Sequence, residues 1–235
     1  MTTIPTTGPG AGVQASAEPW ERYTHQPHWR NREDEFEGAK LGMWLFLSTE
    51  LLLFSGFFCA YFVLRHFYPD AFRGASTHFL DWRIGAINTA ILLISSWNVA
   101  VAVRAAQLGQ KMILAGNIFF ASLCGVAFLV LKLALEYFPK IQKGEVPGAF
   151  FSYAGGHGYD PSPYDPIFLS VYWVSTATHG FHVLVGVLLL WWVGWRALKG
   201  HFGPKHYTAV ENVGLYWHLV DLIWIFLFPL LYLVP

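Results

Sequence analysis

Five long apolar runs, parted by short stretches that hold nearly all the charge, set the pattern of this chain. They cover roughly residues 41–65, 84–104, 112–135, 167–195 and 210–234. Each reaches the roughly 20 residues needed to cross a hydrocarbon core of about 30 Å. A backbone in lipid must satisfy its own N–H and C=O groups, which makes each run a helix. The alternating pattern of a membrane barrel is absent. The pattern predicts an all-α, polytopic membrane protein, a five-transmembrane-helix bundle.

Composition agrees: 54% of the 235 residues are hydrophobic and 13% are charged, against about 25% charged in soluble domains. Formal net charge is zero, so nothing points to nucleic acid as a partner. Residues 1–38 are rich in Thr, Gly and Pro before turning charged at Glu33–Glu37. They contain no apolar signal-peptide core and are expected to form an extramembrane arm, with His25 and His28 on its surface. Residues 39–235 form the transmembrane domain. The connection from Glu136 to Pro166, rich in Gly and Pro, is long for a structureless loop and is expected to be an ordered cap or a contact surface. Cys59 and Cys124 fall inside spans, where thiols serve as small apolar packers.

Orientation follows from Lys and Arg. The amino-terminal face carries Arg22, Arg30, Arg32, Lys40, Arg104, Lys111, Arg196, Lys199 and Lys205, which is nine; the opposite face has Arg65, Arg73, Arg83, Lys140 and Lys143, which is five, and Lys132 is left within a span. The positive-inside rule then places the amino terminus in the cytoplasm and, after five spans, the carboxyl terminus in the periplasm.

Ionisable residues inside spans are costly and face protein rather than lipid. At 1.5 Å per residue, Glu50 lies roughly 14 Å from the inner end of the first span, and His218 and Asp221 roughly 12 and 16 Å from that of the fifth. His179 on the descending fourth span falls in the same layer. Ser175, His179, His182 and Gly186 recur at helical spacing, as do Glu211, Gly214, His218 and Asp221. These two stripes and Glu50 are expected to converge as a buried cluster of Glu, His and Asp, in which His218 and Asp221 satisfy each other.

Several chemistries compete for such a cluster. A di-iron site wants paired Glu-x-x-His motifs and several inward Glu, and a single span-centred Glu is available, so no metal is expected. Haem on His179, His182 or His218 would need a pocket among crowded aromatics. A proton relay or small proton-coupled transporter uses these residue types, although internal repeats and broken helices are absent. A structural network locking helix register needs no substrate. Among the tryptophans, Trp82, Trp191, Trp192 and Trp195 fit the interfacial belt, whereas Trp44, Trp97, Trp217 and Trp224 are placed where they could line a lipid or partner contact. The small residues Gly85, Ala86, Thr89, Ala90, Ser95 and Ser96 permit close packing of the second span.

Four blocks in order carry a resemblance: Gly42-Met43-Trp44-Leu45-Phe46-Leu47-Ser48-Thr49-Glu50; Ile87-Asn88-Thr89 with Ser95 and Ser96; Thr178-His179-Gly180-Phe181-His182; and Tyr216-Trp217-His218 with Asp221 and Trp224. Over residues 40–235 the chain resembles subunit III of the haem-copper oxidases, in its short five-helix bacterial form. The resemblance implies an accessory subunit of a terminal oxidase that reduces oxygen to water and translocates protons, in the bacterial cytoplasmic membrane. It implies that haems and copper lie in subunits I and II, with no redox cofactor and no catalytic residue here. It further implies phospholipid binding, contact with subunits I and II, support of proton uptake and stabilisation of subunit I, with cytochrome c or quinol as donor. Glu50 matches the family's buried carboxyl, and His179, His182, Glu211, His218 and Asp221 match its polar positions. The two helices that form one wall of the lipid cleft in seven-helix members have no counterpart. A quinol oxidase or nitric oxide reductase accessory subunit is the alternative within the superfamily.

Overall fold

The computed structural model describes residues 19–24, 27–153, 155 and 162–233. His25 lies outside them; His28 is exposed. The chain is all-helical: α1 (Arg32–Phe67), α2 (Pro69–Phe79), α3 (Trp82–Gln107), α4 (Lys111–Leu131), α5 (Phe138–Lys143), α6 (Asp165–Leu198) and α7 (Thr208–Phe228). A π turn, Lys132–Tyr137, fuses α4 to α5, and another, Pro229–Leu233, extends α7. Among the described residues five helical segments are long and apolar enough to cross a membrane: Arg32–Phe67, Trp82–Gln107, Lys111–Lys143, Asp165–Leu198 and Thr208–Leu233.

Local chemistry sets the ends. Asn31 caps α1 by accepting from Asp34 N at 2.7 Å, and Glu33, Asp34 and Glu35 complement the helix dipole there. Asp81 caps α3 through Arg83 N. Proline opens α2 and α6 in the first turn, where its missing N–H costs nothing. α5 stops at Gly144, in the left-handed region at φ 75°, where a Cβ would lie 2.2 Å from Ser152 Oγ.

Two expectations change. The third span does not end near residue 135: it runs to Lys143, because Lys132, Glu136 and Lys140 find partners inside the protein. The long connection therefore begins at Gly144. Between the first two spans the chain forms α2, whose Ala71, Phe72, Ala75 and Phe79 are buried. An apolar stripe that short is too brief to register as a membrane run.

Helices α3, α4, α6 and α7 make the core. Trp217 and Trp224 are among its largest fully buried side chains, so the expectation that they line a lipid or partner contact is overturned. Small residues make room for them. A Cβ on Gly186 of α6 would lie 2.7 Å from the Trp217 ring, and one on Gly125 of α4 would lie 2.6 Å from it. Trp224 donates its indole N–H to Thr89 Oγ1 at 3.1 Å. Trp44 and Trp97 point outward, and Trp97 is 73% exposed.

α1 is attached differently. Its most apolar window is 17% buried, against 50% for α7. Polar tethers hold it at three levels: Lys40 to Glu211 at 2.8 Å, Glu50 to His182 at 2.7 Å, and Tyr61 donating to Leu230 O at 2.7 Å.

Candidate functional site

The middle tether is the most informative. Glu50 Oε2 on α1 meets His182 Nε2 on α6, and both side chains are largely buried. His182 Nδ1 lies 2.8 Å from Thr178 O. A carbonyl only accepts, so Nδ1 carries the proton. Nε2 then either donates to a carboxylate or accepts from a carboxylic acid. In both cases one proton resides in the Glu50–His182 hydrogen bond. Tyr216 of α7 donates to His182 O at 3.0 Å, and Phe54 stands edge-on to the imidazole at 5.3 Å.

Beside this pair lies a cavity of about 320 Å³ between α1, α6 and α7, walled by apolar groups such as Met43, Phe46, Val185 and Leu189. A second cavity of about 720 Å³ adjoins it at the amino-terminal end; both touch Asn212. The second is more polar than the first, with Arg32, Arg196 and Lys205 but also Glu33 and Glu35 among its walls. The arm reaches this end: Tyr23 stacks on His206 at 3.9 Å and donates to Glu35 Oε1. Burial and the nearby Arg196 guanidinium hold His206 below the usual histidine range.

The single predicted cluster resolves into separate sites. His179 is fully buried, stacked on Trp224 at 5.1 Å, and neither ring nitrogen has a hydrogen-bond partner among the described residues. Glu211 pairs with Lys40, one membrane level away from Glu50. His218 and Asp221 do not satisfy each other directly. Ser96 of α3 stands between them, its Oγ 2.7 Å from His218 Nδ1 and interacting with the Asp221 carboxyl. Apart from Glu211, the stripe on α7 faces α3, where a Cβ on Gly214 would lie 3.2 Å from Val103 and 3.4 Å from Val99, rather than the stripe on α6. Among the described residues no three His, Cys, Asp or Glu side chains group as metal ligands.

Sequence reasoning missed Lys132 and Glu136. The pair is buried, joined directly, and hydrogen-bonded to Tyr172 of α6 and Tyr232 beyond α7. Its signal was the four-residue spacing of Lys and Glu, which places both on one helix face.

These features define an all-helical protein with five segments long and apolar enough to cross a membrane, whose polar side chains tie its helices together. The sequence profile of cytochrome c oxidase subunit III matches residues 32–234. The chain is 34% identical over 230 residues to cytochrome c oxidase subunit 3 of Marchantia polymorpha, covering 89% of this chain and 78% of that protein. It is 33% identical over 201 residues to that of Drosophila melanogaster (83% and 69%), and 30% identical over 196 residues to that of Thermostichus vulcanus (83% and 86%). The chain belongs to the cytochrome c oxidase subunit III family. It is thus an accessory subunit of a terminal oxidase, an oxidoreductase complex of the respiratory chain.

Proposed function

We propose that this chain stabilises subunit I of its oxidase, holds phospholipid in the groove beside α1, and supports proton uptake through the Glu50–His182 pair, while the haems and copper reside in subunits I and II. The carrying observation is that pair: a carboxyl and an imidazole sharing one proton, with a cavity alongside. The groove has the polarity of a phospholipid. Cationic Arg32, Arg196 and Lys205 outnumber Glu33 and Glu35 at the end where a phosphate would sit, and an apolar slot leads from there to Glu50. Basic residues favour the amino-terminal face, which supports a cytoplasmic arm and a carboxyl terminus on the outer side of a bacterial inner membrane. Residues 1–38 act as an extramembrane arm on the transmembrane domain of residues 39–235.

Gentle purification of the tagged chain from its native membrane tests this reading. Haem absorption bands and oxygen uptake should travel with it, and feeding the complex reduced cytochrome c or a quinol names the donor. Removing the chain should shorten the period over which the remaining oxidase turns over. In the intact complex Glu50→Gln should slow proton uptake. Unchanged uptake and turnover lifetime in that variant would remove Glu50 from the role. A haem-free preparation that catalyses ion flux when reconstituted alone would instead establish a transporter.

A further inference from the structure

A ladder of buried charge runs along the third span, away from the Glu50–His182 pair. The π turn, a device that often accompanies functional sites, inserts one residue into the helical ladder, and Lys132, Glu136 and Lys140 all point inward, 3%, 5% and 6% exposed. Buried Glu145 continues the ladder, 3.7 Å from Lys140 Nζ. The Lys132 ammonium lies over the faces of Trp224, Tyr172 and Tyr232 at 4.9 to 5.1 Å and is hydrogen-bonded to Glu136 and to Tyr232 Oη. The more distant Tyr137 ring completes this cage.

Glu136 uses its two oxygens unequally. Oε2 accepts from Lys132, Tyr172 and Tyr232. Oε1 is buried and accepts from nothing among the described residues. A carboxylate oxygen out of water with no donor is costly, and such atoms in proteins are met by water. Space lies beside the residue, although Oε1 itself has almost no accessible surface and meets it only when the carboxyl turns. Glu136, Lys140 and Glu145 line a cavity of about 390 Å³ that also touches His78 and Asp81, where α2 ends and α3 begins. It is larger than one water requires, and exposed Lys143 stands on its wall.

The opposite end of the ladder is shut. Beyond Lys132, Trp224 stacks on His179, and Phe128 and Phe54 close on the same imidazole edge-on at 5.7 and 6.5 Å. Neither His179 nitrogen continues a hydrogen-bond chain toward Glu50.

We infer that the cavity is a water-filled vestibule through which the Lys132–Glu136 pair exchanges protons with the aqueous phase on the α2 face, and that the aromatic plug around His179 isolates this pair from Glu50–His182. The exchange balances simply. When the Glu136 carboxyl turns toward the vestibule, a hydronium there gives it a proton and becomes water, and the reverse step returns it. The two titratable sites thus belong to opposite sides of the membrane, with the plug between them blocking a proton leak.

Two measurements on the assembled complex in sealed vesicles test the inference. In a background with Cys59 and Cys124 replaced by Ala, single cysteines are placed at Leu135 and Glu136, which line the cavity, at Leu133, which is about as exposed as Leu135 (57% against 50%) but lies outside the cavity lining, and at exposed Thr77 on α2. A charged, membrane-impermeant methanethiosulfonate needs a hydrated thiolate, so Leu135→Cys and Glu136→Cys should react about tenfold faster than Leu133→Cys. They should react from whichever side labels Thr77→Cys, which keeps the result independent of the assigned orientation. Leu135→Cys leaves every hydrogen bond of the ladder in place and carries the test if Glu136→Cys fails to assemble. Equal rates at 135 and 133, or labelling from the other side, overturn the vestibule. For the plug, Phe54→Ser or Phe128→Ser should raise passive proton leak several-fold, and adding Glu136→Gln should suppress that leak. An unchanged leak in both serine variants overturns the plug.

Discussion

Glu50 and His182 meet from two helices that pack loosely against each other, whereas Lys132 and Glu136 sit four residues apart on one helix in the crowded half of the bundle. The first pair decides where α1 stands. Without it, that helix would keep its other two tethers and lose its middle one. The second pair adds nothing to helix contact by itself, since both partners share a segment. Its partners Tyr172 and Tyr232 do that, drawing α6 and the end of the last span onto the third. A charge pair between elements is therefore a docking contact, and one within an element is a local charge cancellation that neighbouring hydroxyls turn into a junction.

The largest effect should come from breaking that cancellation. Lys132→Met leaves Glu136 in the core with two hydroxyl donors and only the more distant Lys140 as countercharge, a loss of about 3–5 kcal/mol. The melting temperature of the purified complex should fall accordingly, and Lys132→Met with Glu136→Leu should recover most of it, since an apolar replacement removes the stranded charge. A single variant as stable as the parent would mean that the pair is not ionic. Gly186→Leu comes next. Its side chain would enter the Trp217 ring, and overpacking of this kind costs about 1–3 kcal/mol, read as reduced yield of assembled complex.

Ser96→Ala removes the hydroxyl between His218 and Asp221 and should cost about 1–2 kcal/mol through the polar atoms it strands. Complex yield unaltered by this change would show that Ser96 does not join them. Glu50→Gln keeps a hydrogen-bonding group opposite His182 and should shift stability by less than about 1 kcal/mol; Glu50→Leu, which cannot bond, should speed cleavage at an inserted protease site near the start of α1.

The smallest effect is on the arm. His206 is held below its ordinary value of 6.5 by burial and by Arg196, against an opposing pull from Glu35. Its contribution to holding Tyr23 is complete above that ordinary value and is lost as pH falls below it, because the charged ring is disfavoured in place. Measured relative to trypsin's own rate on a short unstructured Arg peptide at each pH, cleavage at exposed Arg22 should therefore be faster at about pH 5.5 than at about pH 7.5. Equal rates would mean that the stacking is insensitive to the ring's charge.

Much of the architecture was legible because the bilayer imposes one rule on every span, and long apolar runs obey it whatever they pack against. The same rule hid the end of the third span. Lys132, Glu136 and Lys140 read as the close of a membrane run, since charge in lipid is forbidden, and nothing in a linear pattern tells that Tyr172 and Tyr232 arrive from residues far away to accommodate it. The candidate site was legible by type and depth. Glu50 and His182 were both named, yet their partnership was not, since face periodicity gives a direction on each helix without saying which neighbour stands there. His218 was assigned to Asp221 by spacing, and the intervening Ser96 belongs to another helix. Trp217 was misplaced because an aromatic beside a polar stripe reads the same whether glycines or lipid lie opposite.

That indole, seated between Gly125 and Gly186, also bears on how the protein is made. Helix α7 leaves the ribosome after α4 and α6, so the two glycine notches enter the membrane before the ring that fills them exists. Until it arrives, the two notches stand unfilled between α4 and α6. Its insertion fixes their register in a single late event, and a nascent chain halted before residue 217 should remain open to membrane proteases that the finished subunit resists.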